Sequence, residues 1–178
     1  MAIRKIVKYG DDILKEKLKP VDFKELEPIL PELLKDMEDT CIAAAGAGLA
    51  ANQIGLRHRI AIILVPEKDK LKKGEMQTYK RFVLINPKII SKAGEIIEEE
   101  GCLSFPGLYV EVPRAREITV RFTNEKGLPM EARVGGFLAK AFQHEIDHLD
   151  GKVFIDHADP AIKPALKKEL KTLSKNWS

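Results

Sequence analysis

The chain has 178 residues, 44% hydrophobic and 32% charged, with a net charge of +3 from 30 basic and 27 acidic side chains. That length suits one domain over residues 1–178, and the composition excludes wholesale disorder and a disulfide-stapled miniature fold. The charge is too balanced to imply nucleic-acid binding by itself, so DNA is not expected as a partner.

The opening residues carry no long apolar stretch, so no secretory leader is expected, and a cytoplasmic location follows as the expectation. In chain order, Pro20-Val21-Asp22 marks a turn, with Asp22 as N-cap and Glu25 three residues on. Phe23, Leu26, Leu30, Leu33, Met37, Cys41 and Ala44 recur at steps of three and four. This stripe predicts one long helix, irregular at Pro28 and Pro31, ending near Gly46, with Cys41 in the core. Ile60 to Val65 is the longest apolar run, far short of a membrane span, and Arg59 to Val65 predicts a strand buried on both faces. Glu67 to Gln77 reads as a Lys-rich solvated loop. Tyr79 to Ile85 is a strand ended by Asn86-Pro87, and Lys88 to Glu98 is another, broken by Gly94. Leu108 to Val112 follows, and Ile118 to Val134 reads as a hairpin turning at Asn124 to Gly127. Gly135-Gly136 opens a second helix that closes near Asp150-Gly151, and Asp159-Pro160 opens a third, over about residues 160–175. The expected fold class is α+β: mixed, mainly antiparallel strands around a buried helix, with N-terminal and C-terminal helices.

The chemistry concentrates at His144-Glu145-Ile146-Asp147-His148. On a helix, positions i and i+4 share a face, so both imidazoles can converge on one metal ion. Glu145 stands beside them without ligating, as a general base for water requires. For a third ligand, a histidine ten residues after His144 is excluded, because position 154 is Phe. Glu169 sits among lysines and reads as a surface ion pair. Cys102, in Glu100-Gly101-Cys102-Leu103-Ser104, reads either as a thiolate ligand or as a small buried hydrophobe. Gly46 to Gly55 is not a dinucleotide loop, because position 51 is Ala and a helix precedes it. The stretch reads as a helix cap with small-residue packing, or as close-approach backbone beside a Gln53 amide able to donate to an oxyanion. His58 and His157 stand alone and are expected at the surface.

Taken together, Gly46 to Gln53, Glu100 to Ser104 and Gln143 to His148 resemble the motifs of the peptide deformylase family. Ile6 to Gly10, Pro20-Val21 and Val112-Pro113-Arg114-Ala115 are also similar to it, so the resemblance spans nearly the whole chain. It implies an enzyme that removes the formyl group from the N-terminal formyl-methionine of new polypeptides. It implies one divalent metal ion on Cys102, His144 and His148, Fe2+ most naturally, with Zn2+, Ni2+ or Co2+ able to occupy the site. Glu145 then moves the proton, and Gln53 with the Leu103 backbone N–H holds the oxyanion. The backbone of Ala47, Gly48 and Gly101 pairs with the extended peptide, and Phe137 and Ala141 line the methionine pocket. Ala47 and Lys140 depart from the family pattern, at positions touching that pocket. A rival reading is a zinc endopeptidase, indifferent to a formyl group. A non-enzymatic structural metal site is the other, but it would need a fourth protein ligand.

The C-terminal segment places Ile162, Leu166, Leu170, Leu173 and Trp177 on one stripe and Lys163, Lys167, Lys171 and Lys175 on another. The apolar stripe predicts docking on the domain. The lysines suit a solvated helix face or, by the resemblance, ribosomal RNA near the tunnel exit.

Overall fold

The computed structural model describes residues 3–67 and 77–177. In chain order these form α1 (Phe23–Leu26), α2 (Leu30–Ala43), β1 (Gly48–Ala50), β2 (Ile60–Pro66), β3 (Tyr79–Ala93), β4 (Ile96–Gly101) and β5 (Tyr109–Arg114). Then come β6 (Glu117–Thr123), β7 (Pro129–Gly135), α3 (Gly136–Leu149) and α4 (Lys163–Leu173). Short 3-10 turns at Ala51–Ile54 and Phe154–His157 complete the frame around the site. One sheet has the order β1-β2-β3-β6-β7, a second consists of β4 and β5, and every pairing is antiparallel. The α+β expectation holds.

The unbroken apolar run of β2 is explained by what covers it. Ile60, Ile62 and Leu64 pack with Leu30, Leu33, Met37 and Cys41 of α2. Ile63, on the opposite face, packs with Ala139, Phe142 and Ile146 of α3. Alternation along the strand therefore sends successive side chains into two different apolar layers. α3 lies buried against the sheet, which makes its inner residues a rigid platform.

Several boundaries differ from expectation. The long N-terminal helix is two pieces, because Pro28 interrupts the backbone bonding and Pro31 starts α2 in its first turn. Asp22 caps α1 by accepting from Lys24 N at 3.0 Å, without the Glu25 box. α2 ends before Gly46: Gly46 N donates to Cys41 O and Ala45 N to Ile42 O, with Ala45 itself in the left-handed conformation (φ 54°). Asn86-Pro87 does not end its strand. β3 continues to Ala93 through a register shift between Ile85 and Lys88, with Asn86 at φ 52° and its side-chain amide bonded to both backbone groups of Val21. Gly94 then divides the expected Lys88–Glu98 strand between the two sheets. The hairpin β6–β7 forms as expected. β1 is a strand that the sequence reading does not anticipate. α4 begins at Lys163, not at Pro160, leaving Ile162 exposed, and ends at Leu173, leaving Lys175 beyond the helix. The loop expected over Glu67 to Gln77 falls mostly outside the described residues.

Candidate active site

Glycine sets the limits of the functional helix. Gly136 (φ 56°) opens α3 and Gly151 (φ 71°) follows its end, so both termini use backbone that favours glycine. Gln143 anchors the helix by exchanging two hydrogen bonds with the backbone of Ala115, at 3.0 and 2.9 Å. Asn52 donates to His148 O at 2.7 Å, and Arg59 donates to Leu149 O at 2.8 Å near the C-terminal end. The histidine pair is thus held at a fixed height against β1 and β4.

His144 and His148 present ring centroids 5.0 Å apart, as their i,i+4 spacing requires. Cys102 follows directly on β4, and its Sγ lies 3.2 Å from His148 Nε2. One ligand atom each from Cys102, His144 and His148 fall within 4.8 Å of one another. Of Cys102's two alternatives, the structure brings together the ligand geometry. The set of one sulfur and two imidazole nitrogens suits a borderline transition metal and leaves a coordination position open. Burial opposes the Cys102 thiolate, but the His148 and His144 imidazoles outweigh it and bring the thiol down to about 5. Cys41 contrasts with it: burial pushes that thiol up to about 12, and it lies in the core as expected.

Glu145 is buried beside the triad, and burial is the main reason its carboxyl rises to about 7. Its Oε2 has no hydrogen-bond partner among the described residues, so the carboxylate has acceptor capacity left for a bound group. Gly48 is needed here for space: a Cβ at that position would lie 2.5 Å from Glu145 Oε1. Gln53 is fixed by accepting from Ala50 N at 2.8 Å, which leaves its amide NH2 directed at Cys102 Sγ (3.4 Å) and Ser104 Oγ (3.3 Å).

These groups share a cavity of about 610 Å³ with Ala47, Gly48, Gly101, Leu103, Phe137 and Ala141, so every expected site residue except the inward-turned His148 lines it. Phe137 is half exposed at the rim rather than packed in the core. Lys140 also lines the cavity and pairs with Glu98 at 2.7 Å. Across the cavity from α3, β1 and β4 are each paired on one side only, β1 with β2 and β4 with β5. Gly101 is flat against its neighbour: a Cβ there would meet the Tyr109 ring at 2.6 Å.

Sequence reasoning missed a set of charged residues. Glu100 accepts from His144 Nδ1 at 3.0 Å and forms a two-pronged pair with buried Arg114 at 2.8 and 3.0 Å. Arg114 also donates to Asp147. Burial opposes the ionised form of both carboxyls, but His144 and Arg114 hold Glu100 at about 2, and His157 and Arg114 hold Asp147 at about 2. Lys8 reaches the cavity wall and donates to Leu103 O at 3.1 Å. In the sequence, Glu100, Arg114 and Asp147 stand only as members of three stretches that resemble the family, with no sign that they pair with one another.

The polypeptide deformylase family model matches residues 3–163. The chain is 67% identical to a peptide deformylase of Elusimicrobium minutum, with all of both chains covered. The chain belongs to the peptide deformylase family. A relative from Xanthomonas campestris, peptide deformylase 2, is 41% identical over 99% of each chain. Among solved structures, the peptide deformylase of Thermus thermophilus superposes with a TM-score of 0.84 at 36% identity, covering 98% of this chain and 99% of that one. The Legionella pneumophila enzyme gives 0.80 at 39%, covering 99% and 98%. Peptide deformylases are metal-dependent hydrolases that remove the N-formyl group from the N-terminal formyl-methionine of newly synthesised polypeptides, and this deformylase is an enzyme of that kind. No helix among its described residues is long and apolar enough to cross a membrane.

Proposed function

We propose that Cys102, His144 and His148 hold the metal ion of this deformylase, and that the ion is Fe2+ in the native enzyme, with Zn2+, Ni2+ and Co2+ able to replace it. The convergence of these three donors within 4.8 Å, beside a buried carboxyl near 7, carries the reading. When bound, the ion supplies Lewis acidity towards water and the formyl carbonyl. Glu145 takes the proton from the attacking water and passes it to the leaving amine, a task for which a pKa near neutrality is suited. Gln53 Nε2 and the Leu103 N–H hold the oxygen on which charge develops. The peptide lies extended between the free edges of β1 and β4, its backbone against Ala47, Gly48 and Gly101. Pairing of that kind is blind to side chains. The methionine side chain enters the cavity against Phe137 and Ala141.

Cys102→Ala, His144→Ala and His148→Ala should each lose stoichiometric metal, while Glu145→Gln keeps the metal and loses turnover. Full metal occupancy in Cys102→Ala overturns the ligand assignment. Cleavage of formyl-Met-Ala but not acetyl-Met-Ala separates this reading from a general peptidase. Metal analysis of protein purified without oxygen decides the ion.

The deformylase further reads as one catalytic domain over residues 1–178, acting in the cytoplasm on chains leaving the ribosome. The docking of α4 supports its inclusion in that domain: Leu166 and Leu170 are buried with Phe105 and Phe154, and Trp177 Nε1 donates to Pro106 O at 3.1 Å. Exposed Lys163, Lys167 and Lys171 on α4, with Lys175 just beyond it, suit ribosomal RNA near the tunnel exit. Changing these four lysines to Gln should abolish cosedimentation with ribosomes at low salt and spare activity on short formyl peptides. Unchanged cosedimentation removes this part of the reading.

A further inference from the structure

We propose that His157, acting through Asp147 and Arg114, is a positioning residue for the metal ligand His144. The inference rests on the metal-site reading above. Asp147 is a charged motif residue on α3 with no part in the chemistry, and the sequence alone reads His157 as an unpartnered surface histidine. Instead, five side chains form a continuous line from the cavity outwards. His144 Nδ1 meets Glu100 Oε2 at 3.0 Å, Glu100 meets Arg114 at 2.8 and 3.0 Å, Arg114 Nη1 meets Asp147 Oδ2 at 2.5 Å, and His157 Nε2 meets the same oxygen at 2.8 Å.

Each link has a geometric reason. A carboxylate at His144 Nδ1 makes that nitrogen the donor, which turns the Nε2 lone pair towards the ligand site. The two-pronged Arg114 contact fixes the plane of Glu100, so the ring angle of His144 depends on where the guanidinium sits. Arg114 is only 3% exposed and is held from its far side by Asp147. Asp147 is the looser end, with a side chain 16% exposed and one oxygen shared by two donors. His157 supplies the second donor and keeps that carboxylate from swinging to solvent. His148 provides an internal contrast: its Nδ1 has no hydrogen-bond partner among the described residues, so the brace acts on one imidazole alone.

What the arrangement asks of position 157 is an N–H at the Nε2 position, which a glutamine amide also supplies. The test therefore compares His157→Leu, His157→Gln and Asp147→Asn with the wild-type holoenzyme. The readouts are the rate of metal loss to a chelator, the visible d–d spectrum of the Co2+-substituted protein, and kcat against KM. A direct partner of a ligating His is worth about 10–100-fold in metal affinity or activity, and His157 lies three links further out. We expect roughly three- to tenfold faster metal loss in His157→Leu and Asp147→Asn, a shifted Co2+ band, and a lower kcat with KM unchanged. His157→Gln should restore all three. A His157→Leu protein with wild-type release and spectrum overturns the proposal. So does equal impairment in His157→Leu and His157→Gln, which would mark His157 as merely structural. Wild-type protein unable to hold stoichiometric metal overturns the underlying site reading as well, and so is told apart from failure of the brace alone.

Discussion

The two sides of α3 are built from opposite materials. Towards the main sheet it presents Ala139, Phe142 and Ile146 to Ile63, Leu84, Ile118 and Val120, a wall without charge. Towards β4 and β5 it presents His144 and Asp147 to Glu100 and Arg114, a wall made almost entirely of charge. Apolar contact is non-directional and holds the helix in place without fixing any one side chain's angle. Buried ion pairs are directional, contribute little net stability, and become costly once one partner is removed. The apolar side therefore secures the helix, and the charged side aims its histidine. The two cysteines repeat the contrast: Cys41, packed among aliphatic side chains, is pushed up to about 12, while Cys102, against two imidazoles, is pulled down to about 5.

The largest expected effect comes from removing the centre of the charged wall. Arg114→Met keeps the length of the side chain but leaves Glu100 and Asp147 buried without their cation. Urea unfolding should show a loss of about 3–5 kcal/mol, and a loss under about 1 kcal/mol would mean the wall is not electrostatically built.

A pH series sharpens the same comparison. Glu100 and Asp147 titrate at about 2 in the folded protein, below their ordinary 4.5 and 3.8. A depressed folded pKa contributes stability above the ordinary value, and that stability is lost as pH falls through the folded one. The metal-free wild type should therefore weaken steadily from about pH 5 towards pH 2. In Arg114→Met, His144 still acts on Glu100 and His157 on Asp147, but the share that Arg114 supplied to both is gone, so the slope should flatten. Parallel slopes in thermal melts would contradict the assignment.

The cysteines allow a smaller test. In metal-free protein at pH 7, iodoacetamide should alkylate Cys102 at least about a hundredfold faster than Cys41, because the thiolate is the reacting species. Comparable rates, followed by mass spectrometry, would mean the Cys41 environment is not closed.

The smallest effect is expected on the apolar wall. Ile146→Val should cost about 0.5–1.5 kcal/mol and leave kcat within about twofold, since lost packing there is not aimed at the histidines. A larger fall in kcat than in stability would show that both walls steer the site.

Much of this was legible in the sequence because it is local. The i,i+4 spacing of His144 and His148 fixes their shared face wherever the helix sits, and Gly136 and Gly151 mark where it opens and closes. The run from Ile60 to Val65 required cover on both faces, and α2 and α3 provide it. Errors arose where a local rule met a distant partner. Asn86-Pro87 reads as a strand end, yet Val21, 65 positions away, satisfies the Asn86 amide and lets β3 continue as a bulge. His157 reads as a surface residue because its partner lies on another helix.

The sequence by itself determined the helix that carries the histidines and the face they share, because both follow from helical period, whereas the need for glycine at position 48 came from the closeness of Glu145. Only the tertiary structure decided that Cys102 stands within reach of His144 and His148 rather than alone in the core, that β1 and β4 offer free edges at one cavity, and that Glu100, Arg114 and Asp147 line up behind His144. Those outcomes depend on strand order and on which face of α3 meets which sheet. Hydrogen-bond partners 33 and 44 positions apart, such as Arg114 with Asp147 and Glu100 with His144, have no period along the chain to announce them.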